Sequence, residues 1–244
     1  MRTPKPPFDM RIRSILLRGF GLGTRDFSHE RVERAMAALN EVRLPLPAMI
    51  GEVLWMSAPI AFTLPGRYVY ISRSLIEFCR SDAPVAFALA HEIGHHDLGH
   101  LERADRWLAP GILTHTPEKL ALLALDVLSR RLYSRELELA ADAYALDLCQ
   151  QAGFDRKECL RCLDILTHYA LDHHDLDGVY GSDYELEVDP EQVSNSIDRV
   201  YIELRLWFAR HRRSHPSLHE RRQVLLRRIA ETAPPPRAFT PRPS

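Results

Sequence analysis

No stretch of the 244 residues approaches the roughly 20 consecutive apolar side chains that a membrane-spanning helix requires. The most apolar run, LALLALDVL at 120–128, is interrupted by Asp126 and flanked by Lys119 and Arg130. The opening MRTPKPPFDMRIRSILLRGFG carries positive charge, yet its apolar core is too short for a signal peptide. An excess of either charge is missing too. Lys and Arg number 32 against 33 Asp and Glu, so the net charge of −1 gives no case for nucleic acid or an acidic partner. The basic run RHRRSH at 210–215 reads as a solvated helix end. Cysteine is scarce: Cys79, Cys149, Cys159 and Cys162 are too few for a disulfide framework in a chain of this size. Cys159 and Cys162 form a CxxC inside helical text with no second pair, which suits buried thiols better than a metal knuckle. No internal repeat is present. These absences predict a soluble, cytoplasmic chain with no integral membrane segment, and 45% hydrophobic residues suffice for one enzyme-sized core.

What is present is chemistry. His91-Glu92-Ile93-Gly94-His95 ends an apolar segment, PVAFALAHEIGHH, where His, Glu and Gly would pack poorly. With 12 histidines in the chain, chance placement gives only roughly 0.04 HExxH matches. On a helix, residues four apart lie about 40° from each other around the axis. His91 and His95 therefore reach one metal ion from the same face, and Glu92 sits at the edge of that face. This is the pattern of a zinc hydrolase, which needs a third protein ligand and an open position for water. Glu138 and Asp142, again four apart in helical text, supply what is missing. Glu138 suits the carboxylate ligand, and Asp142 the partner that fixes a ligand imidazole through its other nitrogen. His100 lies nine residues after His91, about 180° away on an unbroken helix, and is expected to be structural or a support behind the ligands. A third-histidine metal site of the other common kind needs Gly at 98 and His at 101, where this chain has Leu98 and Leu101.

HEIGHHDLGH, SRELELAAD, AYALDLCQQAGFD and HPSLHER, in that order, resemble the metallopeptidases of the HtpX and CAAX-prenyl-protease type. The resemblance runs from about Ala58 to Arg221 and takes in the upstream APIAFTLPGRYVYIS. It implies a gluzincin with one Zn2+ per chain held by His91, His95 and Glu138, and with Glu92 as general base and acid. Asp142 and Arg221 would support the ligands from outside. His215 would stabilise the transition state, or alternatively cap the metal in a latent protein that acts by binding others. Ala61 and Phe62, on the upstream strand, would bind substrate. The chain departs from that family in carrying Ile60 before Ala61 and Phe62, where asparagine is usual, and in its lack of apolar spans. The implied activity is hydrolysis of peptide bonds in a protein or peptide.

The expected fold class is α+β and mainly α: a zincin-like helical domain over 9–232, with a small β-sheet next to the HExxH helix. Residues 1–8 and the Pro-rich 233–244 are expected to be disordered. Ser28 is the expected cap of a helix whose Val32, Met36 and Leu39 form an apolar stripe. VLWM (53–56) and RYVYIS (67–72), with Pro65 and Gly66 between, read as short strands and a turn. An edge strand there offers free backbone groups to a peptide. Ser81 or Asp82, ahead of Pro84, starts the metal helix, and Thr116-Pro117 opens a helical region ending near Gly153. Further helices are expected at 155–172 and 190–213, a polar loop at 172–185, and a last helix opened by Pro216.

Overall fold

A computed structural model of the chain describes residues 8–20, 25–101, 134–172 and 216–232. The readings at 102–133, at 190–213, in the 172–185 loop past Asp172, at His215 and in the 233–244 tail lie outside the described residues. Among the described residues no helix is long and apolar enough to cross a membrane.

The metal-motif helix is the axis of the fold. It is α4, Asp82–Asp97, preceded by α1 (Phe8–Gly19), α2 (Phe27–Val42) and the short α3 (Arg73–Phe78). Every residue of α4 from Ala83 to His95 is buried. A helix apolar on all sides must be surrounded, and this one is. It packs against α2, against α5 (Arg135–Gln151) and α6 (Arg156–Asp172), and against a three-stranded sheet. The last helix, α7 (Leu218–Glu231), closes over α5 and α6. Pro84 falls in the first turn of α4, where no backbone N–H is needed.

The sheet has order β1-β3-β2, from β1 (Ile50–Leu54), β2 (Ala61–Thr63) and β3 (Tyr68–Ser72). β3 is buried along its whole length and pairs parallel with β1, from Ile50 against Tyr68 to Leu54 against Ser72. β2 pairs antiparallel with β3, Phe62 opposite Tyr70, and among the described residues its far side is an edge. The chain is therefore mainly helical with a small sheet beside α4, as the sequence led us to expect.

Four local readings need correction. Ser28 does not cap α2. Asp26 does, accepting from the Ser28 N–H at 3.0 Å while the His29 ring returns the contact, and Ser28 is buried in the first turn. An aspartate two residues upstream outcompeted the serine for the same free N–H groups. The first strand ends at Leu54, so Trp55 and Met56 lie past it. The turn at Pro65 and Gly66, the latter with φ 127°, joins β2 to β3 instead of β1 to β3. The last helix is capped by Ser217, whose side chain accepts from the Glu220 N–H, with Pro216 just ahead of it. The first helix, α1, begins at Phe8 and buries Leu16 and Leu17, while residues 1–7 lie outside the described residues. The thiols read as predicted: all four cysteines are free and buried.

Candidate metal centre

The site forms where α4 and α5 meet. α5 starts at Ser134, whose side chain accepts from the Leu137 N–H, and this sets Glu138 and Asp142 one turn apart on its buried face. Gly94 lets the two helices come this close. A Cβ there would lie 3.1 Å from Cδ1 of Tyr144 and 3.3 Å from both Cα and O of Ala141. His91, Glu92, His95, Glu138 and Asp142 are all buried, His95 and Asp142 at 0% exposure.

Three side chains converge. The Nε2 atoms of His91 and His95 are 3.2 Å apart, and the Glu138 carboxylate reaches them at 3.5 and 3.2 Å respectively. A tetrahedral ion holding N and O donors at about 2.0–2.1 Å separates them by about 3.3 Å. The triangle has that size, and two imidazoles with one carboxylate are a donor set for a borderline-soft divalent ion. Among the described residues, His91, His95 and Glu138 form the group able to hold a metal. Glu92 follows His91 directly and is buried on the same turn of α4.

Behind this triangle stands a second set of contacts. Asp142 Oδ1 lies 2.9 Å from His91 Nδ1. Arg221, from the first turn of α7, donates to both Asp142 oxygens, at 2.8 Å from Nε and 2.6 Å from Nη2, and its Nη1 is 3.7 Å from Glu138. Burial works against every one of these charges, and the pairing overrides it. Asp142 stays below the usual carboxylate range because the Arg221 guanidinium outweighs desolvation. Arg221 is itself held well above its ordinary value by Asp142 and Glu138 against the same burial. Burial also opposes a charged His91, yet Glu138 and Asp142 raise its imidazole to about 10. His95 moves the opposite way, lowered first by burial and then by the His91 charge.

His100 is where the helical extrapolation breaks down. α4 stops at Asp97 and Gly99 takes φ 72°, so the chain reverses. The Gly99 N–H reaches His96 O at 3.0 Å and the His100 N–H reaches His95 O at 2.9 Å, the paired bonds of a Schellman motif. The reversal brings His100 Nδ1 to 2.9 Å from His95 Nδ1. Burial, with His95 beside it, pushes the His100 imidazole down to about 4. The readable signal was Gly99 just past the helix, a residue type that ends helices in the left-handed conformation.

On the other side of α4, His96 Nε2 sits 2.5 Å from Thr63 Oγ1, and that hydroxyl donates to Tyr68 O at 3.0 Å. His96 is thus the donor, and burial holds it neutral, at about 4. The contact ties the edge strand β2 to the metal helix. Phe62 is buried, its ring stacked on Tyr70 at 5.1 Å, while Ala61 is half-buried. Ile60 and Ser72 form a hydrogen-bonded pair through the Ser72 N–H, so Phe62 also faces Tyr70. The N–H and C=O groups of Ala61 and Thr63 then point away from β3, toward the side of β2 that no described strand pairs with. His215 lies outside the described residues.

Comparisons with known proteins place the chain in a family. The model of peptidase family M48 matches residues 28–229, most of the chain. The mitochondrial metalloendopeptidase OMA1 of Saccharomyces cerevisiae is 28% identical over 120 residues, 46% of this chain and 35% of that protein. The mitochondrial metalloendopeptidase OMA1 of Arabidopsis thaliana is 30% identical over 136 residues, 52% of this chain and 27% of that protein. The matched region thus spans about a third or less of either relative's length. With a family match that runs from the first turn of α2 into the last turn of α7 and encloses His91, His95 and Glu138, the chain belongs to peptidase family M48.

Proposed function

We propose that the chain is a zinc-dependent endopeptidase that hydrolyses peptide bonds in protein or peptide substrates. The observation that carries this reading is the buried triangle of His91 Nε2, His95 Nε2 and the Glu138 carboxylate, next to Glu92. His91, His95 and Glu138 would hold one zinc ion. When bound, zinc acts as a Lewis acid on the scissile carbonyl and makes water acidic enough to ionise near neutral pH. Glu92 takes the proton of the attacking water as its oxygen bonds to the carbonyl carbon. It then delivers that proton to the nitrogen as the C–N bond breaks. Asp142, clamped by Arg221, keeps His91 turned toward the ion. His215 would donate to the developing oxyanion, a class of contact worth about 2.7–4 kcal/mol.

Substrate would lie along β2 as an added strand, using the outward N–H and C=O groups of Ala61, with Phe62 bracing that strand from inside. A cytoplasmic setting is our reading of four free thiols and balanced charge. The test is cleavage of unfolded casein by zinc-loaded protein with and without chelator. Glu92→Gln should keep its zinc by elemental analysis and lose about 100-fold or more in rate. Undiminished cleavage by this variant would contradict the assignment. Zinc-loaded protein that is silent until His215→Ala would make the chain a latent enzyme capped by its own histidine.

A further inference from the structure

From the 2.9 Å contact behind His95, we infer that His100 is a positioning residue that fixes the tautomer and ring plane of that ligand. The inference rests on the metal-site reading above. His95 faces the triangle through Nε2, 3.2 Å from both His91 Nε2 and Glu138 Oε1. A nitrogen that gives its lone pair to a metal cannot carry the proton, so the proton of neutral His95 belongs on Nδ1. The atom that Nδ1 meets is His100 Nδ1. His100 must accept there, which places its own proton on Nε2.

The two ligand histidines thus have the same arrangement with different acceptors. His91 Nδ1 meets a carboxylate at 2.9 Å and His95 Nδ1 meets a neutral imidazole at 2.9 Å. Among the described residues the acceptor behind His91 is a carboxylate and the acceptor behind His95 a neutral ring, so the second ligand is oriented without a further buried carboxylate beside Glu92, Glu138 and Asp142. The geometry is also fixed twice over. The His100 N–H bonds to the His95 carbonyl at 2.9 Å, so one residue holds both the backbone and the ring of the same ligand. His95 stands in the last turn of α4, where a helix frays unless its carbonyls are capped. The Gly99 reversal supplies that cap and delivers His100 in one step.

Two substitutions separate orientation from packing. His100→Asn keeps an acceptor oxygen near the place of Nδ1, and His100→Phe keeps the ring and loses the acceptor. Zinc affinity is read by competition with a chromogenic chelator. His100→Phe should bind zinc about 10–100-fold more weakly, and His100→Asn should recover most of that loss. Parent-like affinity in His100→Phe, or equal weakening in both variants, overturns the inference. A measurement on the unaltered protein guards against variants that fold poorly. In zinc-loaded protein with 15N-labelled histidine, His95 Nδ1 should carry a slowly exchanging proton coupled across the hydrogen bond to a second histidine nitrogen. A freely exchanging proton, or no coupling, overturns the inference as well. Failure of the parent to bind zinc would remove the proposed function and this inference together, whereas parent-like His100→Phe removes this inference alone.

Discussion

Arg221 shows how much a single side chain outside the ligand triangle carries. Its guanidinium makes two bonds to Asp142, which is fully buried, and Asp142 in turn holds His91. Removing one partner of a buried pair leaves the other charge without compensation, at a cost of about 3–5 kcal/mol. Arg221→Ala should therefore lower the unfolding free energy read by urea titration by that amount and weaken zinc retention. Arg221→Lys keeps the charge but not the fork, so its loss should be smaller and yet clear. Equal stability of Arg221→Ala and parent would show that the clamp is not what holds Asp142. The proposed ligands were legible at this scale because helical spacing alone puts His91 with His95 and Glu138 with Asp142. That spacing left Arg221 to resemblance, since no local pattern says that a residue 79 positions on will meet Asp142.

Among the elements, α2 acts as a splint for the metal helix. Arg31, in its first half, bonds Asp82 at 2.7 Å and the carbonyls of Ile76 and Cys79 at 2.8 Å, which fixes the entry to α4. Arg43, its cap residue, bonds Asp97 at 2.8 and 2.6 Å at the exit, and the Tyr144 hydroxyl joins from α5. The helices α2 and α4 hence run in the same direction, tied at both ends. Burial raises the Asp82 carboxyl, but Arg31 and Arg34 outweigh it and hold the group below its ordinary 3.8. A folded pKa below the unfolded one gives stability that is present above 3.8 and is lost as pH falls through the folded value. Asp82→Asn should thus cost about 1 kcal/mol at neutral pH, discounted for the exposed Arg34, and converge with the parent in acid. An offset that persists unchanged in acid would assign the loss to something other than this charge. At the α4–α5 crossing, Gly94→Ala would press its Cβ to 3.1 Å from Tyr144 Cδ1 and 3.3 Å from the Ala141 backbone, so α5 must shift outward to admit it. A loss of about 1–3 kcal/mol is expected. It should come with weaker zinc binding, because α5 carries Glu138. Element identity was mostly legible: α2 shows an apolar stripe, α4 an apolar run opened by Ser81 to Pro84, and α5, α6 and α7 read as helical text. Their ends were less so, because Asp26 and Ser28 compete for the same N–H groups and only the fold decides between them.

For the molecule as a whole, the proposed ligands tie together parts of the chain that the sequence keeps far apart. His91 and His95 come from α4 and Glu138 from α5, while the clamp on Asp142 arrives from α7. This convergence could not be read from spacing, which is blind to how distant helices cross. It has a thermodynamic consequence. An ion that binds the folded chain alone stabilises it by RT ln(1 + [L]/Kd), about 2.7 kcal/mol when free zinc is 100-fold above Kd. Chelation should therefore lower the Tm of the parent, and titrating zinc back should restore it in proportion to the logarithm of free metal. The variants divide by role. Glu138→Ala loses a ligand, so its Tm should respond little to chelator or zinc. Glu92→Gln keeps the ligand triangle, so its Tm should rise with zinc as the parent's does, although its cleavage is gone. A Glu92→Gln protein whose Tm ignores zinc would place Glu92 among the ligands, and the proton transfers assigned to it would need another residue.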